Sequence, residues 1–301
     1  MSRRVEQKAQ ARERVAALRA QQQRAERRKR LLIAVGAVVA VVVVVGGLVI
    51  IKVAGGGGDK TATGPSGAAD AQIVAALTSI PAETFAKVGS DDVQAAPAAI
   101  TAPALTAGGK PKVLYIGAEF CPYCAAERWP VSVALSRFGT FSNLGTTHSA
   151  ADDVYPNTPT LSFHGATYTS QYLSFTGLET TTNEKENGQY KPLDTPSAED
   201  QKTFDTYNAP PYVKSGGSIP FVDLGGKFVT SGATYSPEIL AGKTQAQIAE
   251  ALKDPSSPIA KAIDGSANVY TAAFCQLSNN QPANVCSTDA VKAAAGKLGK
   301  S

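Results

Sequence analysis

Three apolar patterns along the chain predict the main elements of an α/β domain. Residues 112–120 (KVLYIGAEF) form a compact apolar run that leads into a helix start, which is typical of a buried strand. Residues 127–138 place apolar side chains at helical spacing, and they predict a helix that packs one face on a sheet. Residues 219–224 and 227–231 flank Gly225–Gly226 and predict a β-hairpin.

Weaker patterns complete the domain. Helical spacing of apolar residues predicts helices at 71–79 and 244–253, and further strands are indicated around 144–148 and 160–175. Residues 179–212 turn polar and predict an insertion. Within that insertion, a short helix is indicated near residues 198–207.

The N-terminal region has a different pattern. Residues 31–51 contain no charge, and as a helix they would span about 31 Å, which matches the apolar thickness of a bilayer. With Lys52 on the far side, they predict a transmembrane helix over residues 31–53. The Gly-, Thr- and Ser-rich residues 54–70 predict a flexible linker. Residues 71–301 then form the globular domain.

The charge distribution sets the expected orientation. Residues 1–30 hold 11 Lys and Arg against three acids, and the rest of the chain holds 18 basic and 22 acidic residues. By the positive-inside rule we expect a cytoplasmic basic arm, a single crossing of the cell membrane and an extracytoplasmic domain. The lipid bilayer is then a partner, and no nucleic-acid partner is expected.

The candidate chemistry lies at the junction of the predicted strand and helix, in Cys121-Pro-Tyr-Cys124. Two intervening residues let both sulfurs meet in the first helical turn, where the helix N-terminus stabilises a thiolate. Cys121 is the candidate nucleophile and Cys124 the resolving thiol. A structural disulfide and a metal clip are the alternatives. No phosphate loop, Ser/His/Asp set or dinucleotide fingerprint is present, so no cofactor is expected.

The order of these parts resembles the thioredoxin superfamily: a strand, a CxxC motif, a helix, a proline before a hairpin, and a last helix. The resemblance implies a thioredoxin-like α/β fold with an inserted segment, in which Pro220 is a cis-proline facing the cysteines. It also implies that the backbone of Ile219 pairs with an extended substrate. Tyr123, between the cysteines, is expected to be exposed and to contact that substrate.

The chain is also similar to a group of membrane-anchored, thioredoxin-like proteins catalogued as a domain of unknown function. Three segments carry that resemblance: GKPKVLYIGAEFCPYCAAERWPVSVALSRFGTFSNL (109–144), TLSFHGATYTSQYLSF (160–175) and CQLSNNQPANVC (275–286). The resemblance implies the fold and the topology but no substrate.

One departure from the thioredoxin pattern concerns proton transfer. Thioredoxins have a buried acid in the strand before the CxxC motif, and Tyr115 stands at the equivalent position here. Glu119 is closer to the motif and is expected to be exposed. Glu119 is therefore the candidate for proton transfer from Cys124.

The remaining cysteines, Cys275 and Cys286, are expected to lie outside the thioredoxin-like core. An even cysteine count outside the membrane favours a disulfide between them, which would act as a structural staple. A second redox pair that relays electrons to Cys121 and Cys124 is the alternative.

These observations predict a thiol–disulfide oxidoreductase that acts on secreted or cell-envelope protein thiols, with oxidation or isomerisation favoured over reduction. A membrane redox partner would be needed to reoxidise its cysteine pair. The alternative is a non-enzymatic thioredoxin-like module that binds a partner or delivers copper, for which His164 is the candidate histidine. No metal ligand set is otherwise indicated.

Overall fold

A mixed sheet with helices packed against it forms the centre of the domain. The computed structural model describes residues 67–68 and 71–299. Its strands, in chain order, are β1 (Gly67–Ala68), β2 (Ala98–Ala99), β3 (Thr106–Ala107), β4 (Lys110–Gly117), β5 (Gly139–Ser142), β6 (Gly145–His148), β7 (Pro159–Ser162), β8 (Thr167–Ser170), β9 (Ser174–Glu179), β10 (Thr181–Glu186), β11 (Gln189–Pro192), β12 (Phe221–Leu224) and β13 (Phe228–Ser231).

Eight helices accompany these strands in the described residues. They are α1 (Ala71–Thr78), α2 (Ala82–Val88), α3 (Pro122–Ser136), α4 (Ala198–Tyr207), α5 (Gln245–Ala251), α6 (Pro258–Leu277), α7 (Ala283–Cys286) and α8 (Asp289–Ala295), with a 3-10 turn at Pro237–Leu240.

Strand β4 lies at the centre of the main sheet. It pairs in parallel with β9 on one side and antiparallel with β12 on the other, and β13 and β2 extend the sheet beyond β12. In the β4–β9 register, Gly117 lies opposite Glu179. The last residue of β9 is therefore level with the end of β4, from which the chain turns into α3.

Most of the patterns predicted from the sequence correspond to these elements. The buried strand is β4, the hairpin at Gly225–Gly226 is β12–β13, and the short helix of the polar region is α4. The strands expected around 144–148 and 160–175 are β6 to β9, and the structure arranges them so that β5 pairs with β8 and β6 pairs with both β1 and β7. The polar region itself contains the β10–β11 hairpin.

The longest described helix, α6, was not among the predicted elements. Ser257 caps it with a side-chain oxygen that accepts from the Ile259 N–H, and Pro258 occupies its first turn, where its missing N–H costs nothing. It packs against α3, with the rings of Phe138 and Phe274 meeting edge to face at 5.5 Å. Helix α3 therefore packs on α6 as well as on strands β5 and β7.

The expectation of a transmembrane helix requires correction. The basic arm (1–30), the helix (31–53) and all of the linker (54–70) except β1 lie outside the described residues. Among residues 67–68 and 71–299, no helix combines the length and the apolar character needed to cross a bilayer. The predicted transmembrane helix and single-pass membrane localisation are therefore not supported, and the fold class is corrected to a mixed α/β domain with a sheet and helices.

Candidate functional site

Cys121 and Cys124 lie where the chain leaves the end of β4 and enters α3. Cys121 is the N-cap residue, with extended backbone angles, and Pro122 is the first helical residue. The Cys121 side chain accepts a hydrogen bond from the Cys124 backbone N–H at 3.2 Å, so its sulfur occupies the usual place of a capping oxygen. Both cysteines are free thiols.

The loop before β12 faces this helix start. The Cys121 thiol donates to the backbone carbonyl of Ile219, with 3.8 Å between the sulfur and the oxygen. The Ile219–Pro220 peptide bond is cis. The structure therefore brings Ile219 and Pro220, residues from a distant part of the sequence, next to Cys121.

The two thiols have opposite pKa shifts. The pKa of Cys121 is lowered, chiefly because the Cys124 side chain donates a hydrogen bond to it, although burial works against this. Backbone N–H groups of α3 and the positive charge of Arg128 act in the same lowering direction. Burial raises the pKa of Cys124 well above its ordinary value, and the hydrogen bond to Cys121 raises it further. Cys121 is the more easily ionised thiol of the pair.

A completely buried ion pair lies behind the thiols. Arg128 and Glu179 have no solvent-exposed side-chain surface, and they form two parallel hydrogen bonds, from Nε to Oε1 at 2.7 Å and from Nη2 to Oε2 at 2.6 Å. Arg128 also donates from Nη2 to the Ala118 carbonyl at 2.7 Å. Burial opposes the charge of Arg128, but Glu179 compensates, and the pKa of Arg128 is raised.

Glu119 is buried, contrary to the expectation that it is exposed. Its Oε1 accepts from the Ser162 hydroxyl at 2.7 Å, and its Oε2 has no hydrogen-bond partner among the described residues. No hydrogen bond joins Glu119 to either cysteine in this part of the chain. Its role in proton transfer therefore stays a prediction.

Tyr123 has the exposure that the sequence predicts. It is 42% exposed, and its ring meets that of Tyr155 edge to face at 6.0 Å. It borders a groove of about 640 Å³, whose walls also include Ile219, Tyr212, Val229, Gly232 and Ala98. The exposed side of the cysteine motif thus adjoins a concave surface that carries the Ile219 loop.

Phe120, immediately before Cys121, belongs to an aromatic cluster that the sequence analysis missed. Its ring stacks on Tyr190 of β11, with the centroids 4.2 Å apart and the planes 5° from parallel. Lys185 lies 4.9 Å from the Tyr190 ring centroid and 2.6 Å from Asp152. The β10–β11 hairpin therefore contacts the residue next to Cys121.

Cys275 and Cys286 form the predicted disulfide, with their Cα atoms 5.6 Å apart. Their position differs from the prediction, because Cys275 belongs to α6 and is only 3% exposed within the main core. The bond joins the C-terminal end of α6 to the short helix α7.

His164, the candidate copper ligand, is engaged elsewhere. Its Nδ1 lies 2.7 Å from Asp194 Oδ1, while Asp194 Oδ2 accepts from the Glu179 backbone N–H at 2.9 Å. In the part of the chain that the structure describes, no group of three or more His, Cys, Asp or Glu side chains is arranged to hold a metal ion.

The chain matches a known protein family. Residues 97–276, more than half of its length, match the family described as Domain of unknown function (DUF929). The chain belongs to this family. The matched region contains Cys121, Cys124, Pro220 and Cys275, and it ends before Cys286. No curated protein and no solved structure matches the chain. The description of this family assigns no function.

Sequence reasoning found the cysteines and the Ile219 loop but missed the ion pair behind them. The signal for Arg128 was its position four residues after Cys124, on the same face of the predicted helix. Its partner, Glu179, stands 51 residues further along the chain. Nothing local in the sequence connects the two.

Proposed function

We propose that this protein is a thiol–disulfide oxidoreductase, with a thioredoxin-like site, that acts on protein thiols through Cys121 and Cys124. The observation that carries the proposal is the capping position of Cys121. Its sulfur accepts the Cys124 N–H at the start of a 15-residue helix, where the helix dipole and the unpaired N–H groups favour a thiolate. A cysteine with a purely structural role has no need of this arrangement.

The opposite pKa shifts of the two thiols suit them to consecutive steps. The Cys121 thiolate attacks one sulfur of a client disulfide, the client S–S bond breaks, and the leaving client sulfur takes up a proton. Cys124 then loses its proton and attacks Cys121 in the mixed disulfide, which forms the Cys121–Cys124 bond and releases the second client thiol. The client gains two electrons and the protein loses two. Oxidation of a client is the same sequence in reverse.

The order of elements supports the thioredoxin-like assignment. A central strand, the CxxC turn, the helix α3, the proline before the β12–β13 hairpin and the helix α5 follow one another as the resemblance implies. The carbonyl of Ile219, within 3.8 Å of the Cys121 sulfur, offers a backbone acceptor beside the reacting atom. An extended client segment beside Cys121 would reach that carbonyl.

For direction, we favour oxidation or isomerisation of clients over reduction. A lowered pKa of Cys121 stabilises the reduced protein relative to its disulfide, which makes the disulfide form a better oxidant. The Cys275–Cys286 disulfide in the same domain is also typical of an oxidising environment. Continued turnover in this direction requires a second thiol–disulfide couple that accepts the two electrons.

The experiment is a pair of single substitutions in the full chain, assayed for disulfide exchange with a reduced or scrambled cysteine-containing protein. We expect Cys121→Ser to reduce exchange to the uncatalysed rate, because the attacking sulfur is gone. With the scrambled client, whose disulfides the Cys121 thiolate can attack, we expect Cys124→Ser to accumulate mixed disulfides, since nothing resolves them.

Cys286→Ser is the matched control, because it removes a cysteine of the other pair and should preserve exchange. If neither Cys121→Ser nor Cys124→Ser alters the rate or traps a client, the protein is not an oxidoreductase. The alternative of a non-enzymatic binding module would then apply.

A further inference from the structure

We propose that Arg128 is a positioning residue for the dithiol: its guanidinium, fixed by Glu179 and by the Ala118 carbonyl, holds a buried positive charge behind Cys121 that favours the thiolate. The inference rests on the proposed function, because it assigns Arg128 a part in that same exchange. Among the described residues, Arg128 donates its hydrogen bonds to Glu179 and to the Ala118 carbonyl and none to a cysteine sulfur, so its proposed action is electrostatic.

The first support is the path of hydrogen bonds around the Ala118 carbonyl. This oxygen accepts from Arg128 Nη2 at 2.7 Å and from the Cys121 backbone N–H at 3.3 Å. Two donors on one oxygen lie close to each other. The guanidinium is therefore held against the turn that leads into Cys121.

The second support is the geometry of the helix. Arg128 follows Cys124 by four residues, so the two side chains share one face of α3. Both are completely buried. The charge is not screened by water there, and its effect on a neighbouring thiolate is larger than at a surface.

The third support is an unused donor. Arg128 Nη1 is buried and has no hydrogen-bond partner among the described residues. An unpaired buried donor is costly, so the fold keeps this positive charge in the interior at an energetic cost. Glu179 satisfies only one edge of the group.

Other titratable groups also face the dithiol. Tyr115 reaches it from β4, where its hydroxyl donates to the Cys124 carbonyl at 3.5 Å, and Glu179 reaches it from β9. Glu119, on the turn before Cys121, acts on Glu179. Arg128 is the one cation in this group, and it lowers the pKa of both cysteines, whereas Glu179 raises that of Cys124. Arg128 is thus the charged group that opposes burial at Cys121, in addition to the hydrogen bonds from Cys124.

The test compares Arg128→Gln with Glu179→Gln in the full chain. Both substitutions break the same buried ion pair, but only the first removes the positive charge. Alkylation of Cys121 by iodoacetamide is followed from pH 4 to 10, with mass spectrometry of the Cys121 peptide. We expect Arg128→Gln to raise the midpoint of alkylation by about one pH unit, which corresponds to about tenfold less thiolate below the midpoint. Glu179→Gln should leave the midpoint unchanged or lower.

A further variant covers the case in which Arg128→Gln does not fold. Arg128→Gln with Glu179→Gln leaves no lone buried charge, and removal of both members of a buried pair is tolerated better than removal of one. We expect its midpoint to rise as well. Equal midpoints in the native protein and in this double variant, or equal rises in Arg128→Gln and Glu179→Gln, would overturn the proposal.

The same experiment separates this inference from the proposed function. Alkylation reports the thiol of Cys121 whether or not the protein exchanges disulfides with clients. A native protein that fails to exchange but shows the expected order of midpoints contradicts the oxidoreductase and leaves the electrostatic role of Arg128 intact. A protein that exchanges disulfides, but whose midpoint of Cys121 alkylation does not depend on Arg128, supports the oxidoreductase and contradicts the electrostatic role of Arg128.

Discussion

Helices α3 and α6 pack against each other, and their opposite ends hold cysteines of different pairs. Cys121 caps the N-terminus of α3, where free N–H groups favour a thiolate, and it is a free thiol. Cys275 lies in the last turn of α6, where carbonyl groups disfavour a thiolate, and it is bonded to Cys286. We infer from this difference that the helix end at which a cysteine lies distinguishes the reactive pair from the structural pair.

The two helices also differ in how the hydrogen bonds of their buried ionisable side chains are satisfied. Arg128 of α3 forms a bidentate ion pair with Glu179. Asp264 of α6 is also buried, yet neither of its oxygens has a hydrogen-bond partner among the described residues. Arg137 is the cation that acts on Asp264, but its guanidinium donates to Asn268 and Thr271 instead. The fold keeps a charge next to the thiols and leaves Asp264 without hydrogen-bond compensation.

The largest effect on stability is expected from removing the second cysteine pair. Cys275→Ala with Cys286→Ala opens a loop with a sequence separation of 11, and it should lower the free energy of unfolding by about 2–3 kcal/mol. Urea unfolding of the full chain under oxidising conditions measures the loss. Disulfide exchange by Cys121 should continue at the native rate under conditions in which both proteins are folded.

Added reductant provides the control, because it opens the same disulfide in the native protein. The two unfolding curves should then approach each other. A folded variant that has lost exchange would contradict the account, since Cys275 and Cys286 would then belong to the electron path rather than to the scaffold.

A second effect, spread over several pH units, is expected from Asp264. Burial raises its pKa from the ordinary value to about 8, so the folded protein holds a proton there that the unfolded chain has lost above about pH 4. Stability should therefore be greatest at low pH and fall as pH rises toward 8, with a slope of up to about 1.4 kcal/mol per pH unit from this group. Asp264→Asn keeps the shape of the neutral side chain and should flatten that slope between pH 5 and 7.

Chemical unfolding of both proteins at several pH values measures the difference. Burial also raises the pKa of Glu127, to about 7, and its contribution has the same sign. That contribution is present in both proteins, so the difference in slope isolates Asp264. Equal slopes of the unfolding free energy against pH in the native protein and in Asp264→Asn would show that burial does not raise the pKa of the Asp264 carboxyl.

The parts of this account that the sequence predicted depend on local patterns. A compact apolar run, a Gly-Gly turn between alternating segments and a CxxC motif at a strand–helix junction all act over a few residues, and β4, the β12–β13 hairpin and α3 follow from them. The prediction that Ile219 and Pro220 lie beside Cys121 came from the resemblance to the thioredoxin superfamily and not from a local sequence pattern.

The parts that it missed depend on contacts between distant residues. Charged residues are normally exposed, so Glu119 and Arg128 were not expected in the core, and their partners Ser162 and Glu179 stand far along the chain. Helix α6 was overlooked because Gly, Ser and Asn in its middle weaken its apolar pattern. A closing helix was instead expected over residues 244–253, where the structure has the shorter α5.

The most direct test is the redox equilibrium of the two cysteine pairs in the full chain against defined glutathione ratios. Each pair is followed separately by alkylation and mass spectrometry. We expect Cys121–Cys124 to change between dithiol and disulfide within the glutathione range, while Cys275–Cys286 stays oxidised until conditions are far more reducing. A shared midpoint for the two pairs, or reduction of Cys275–Cys286 first, would contradict the assignment of one pair to chemistry and the other to structure.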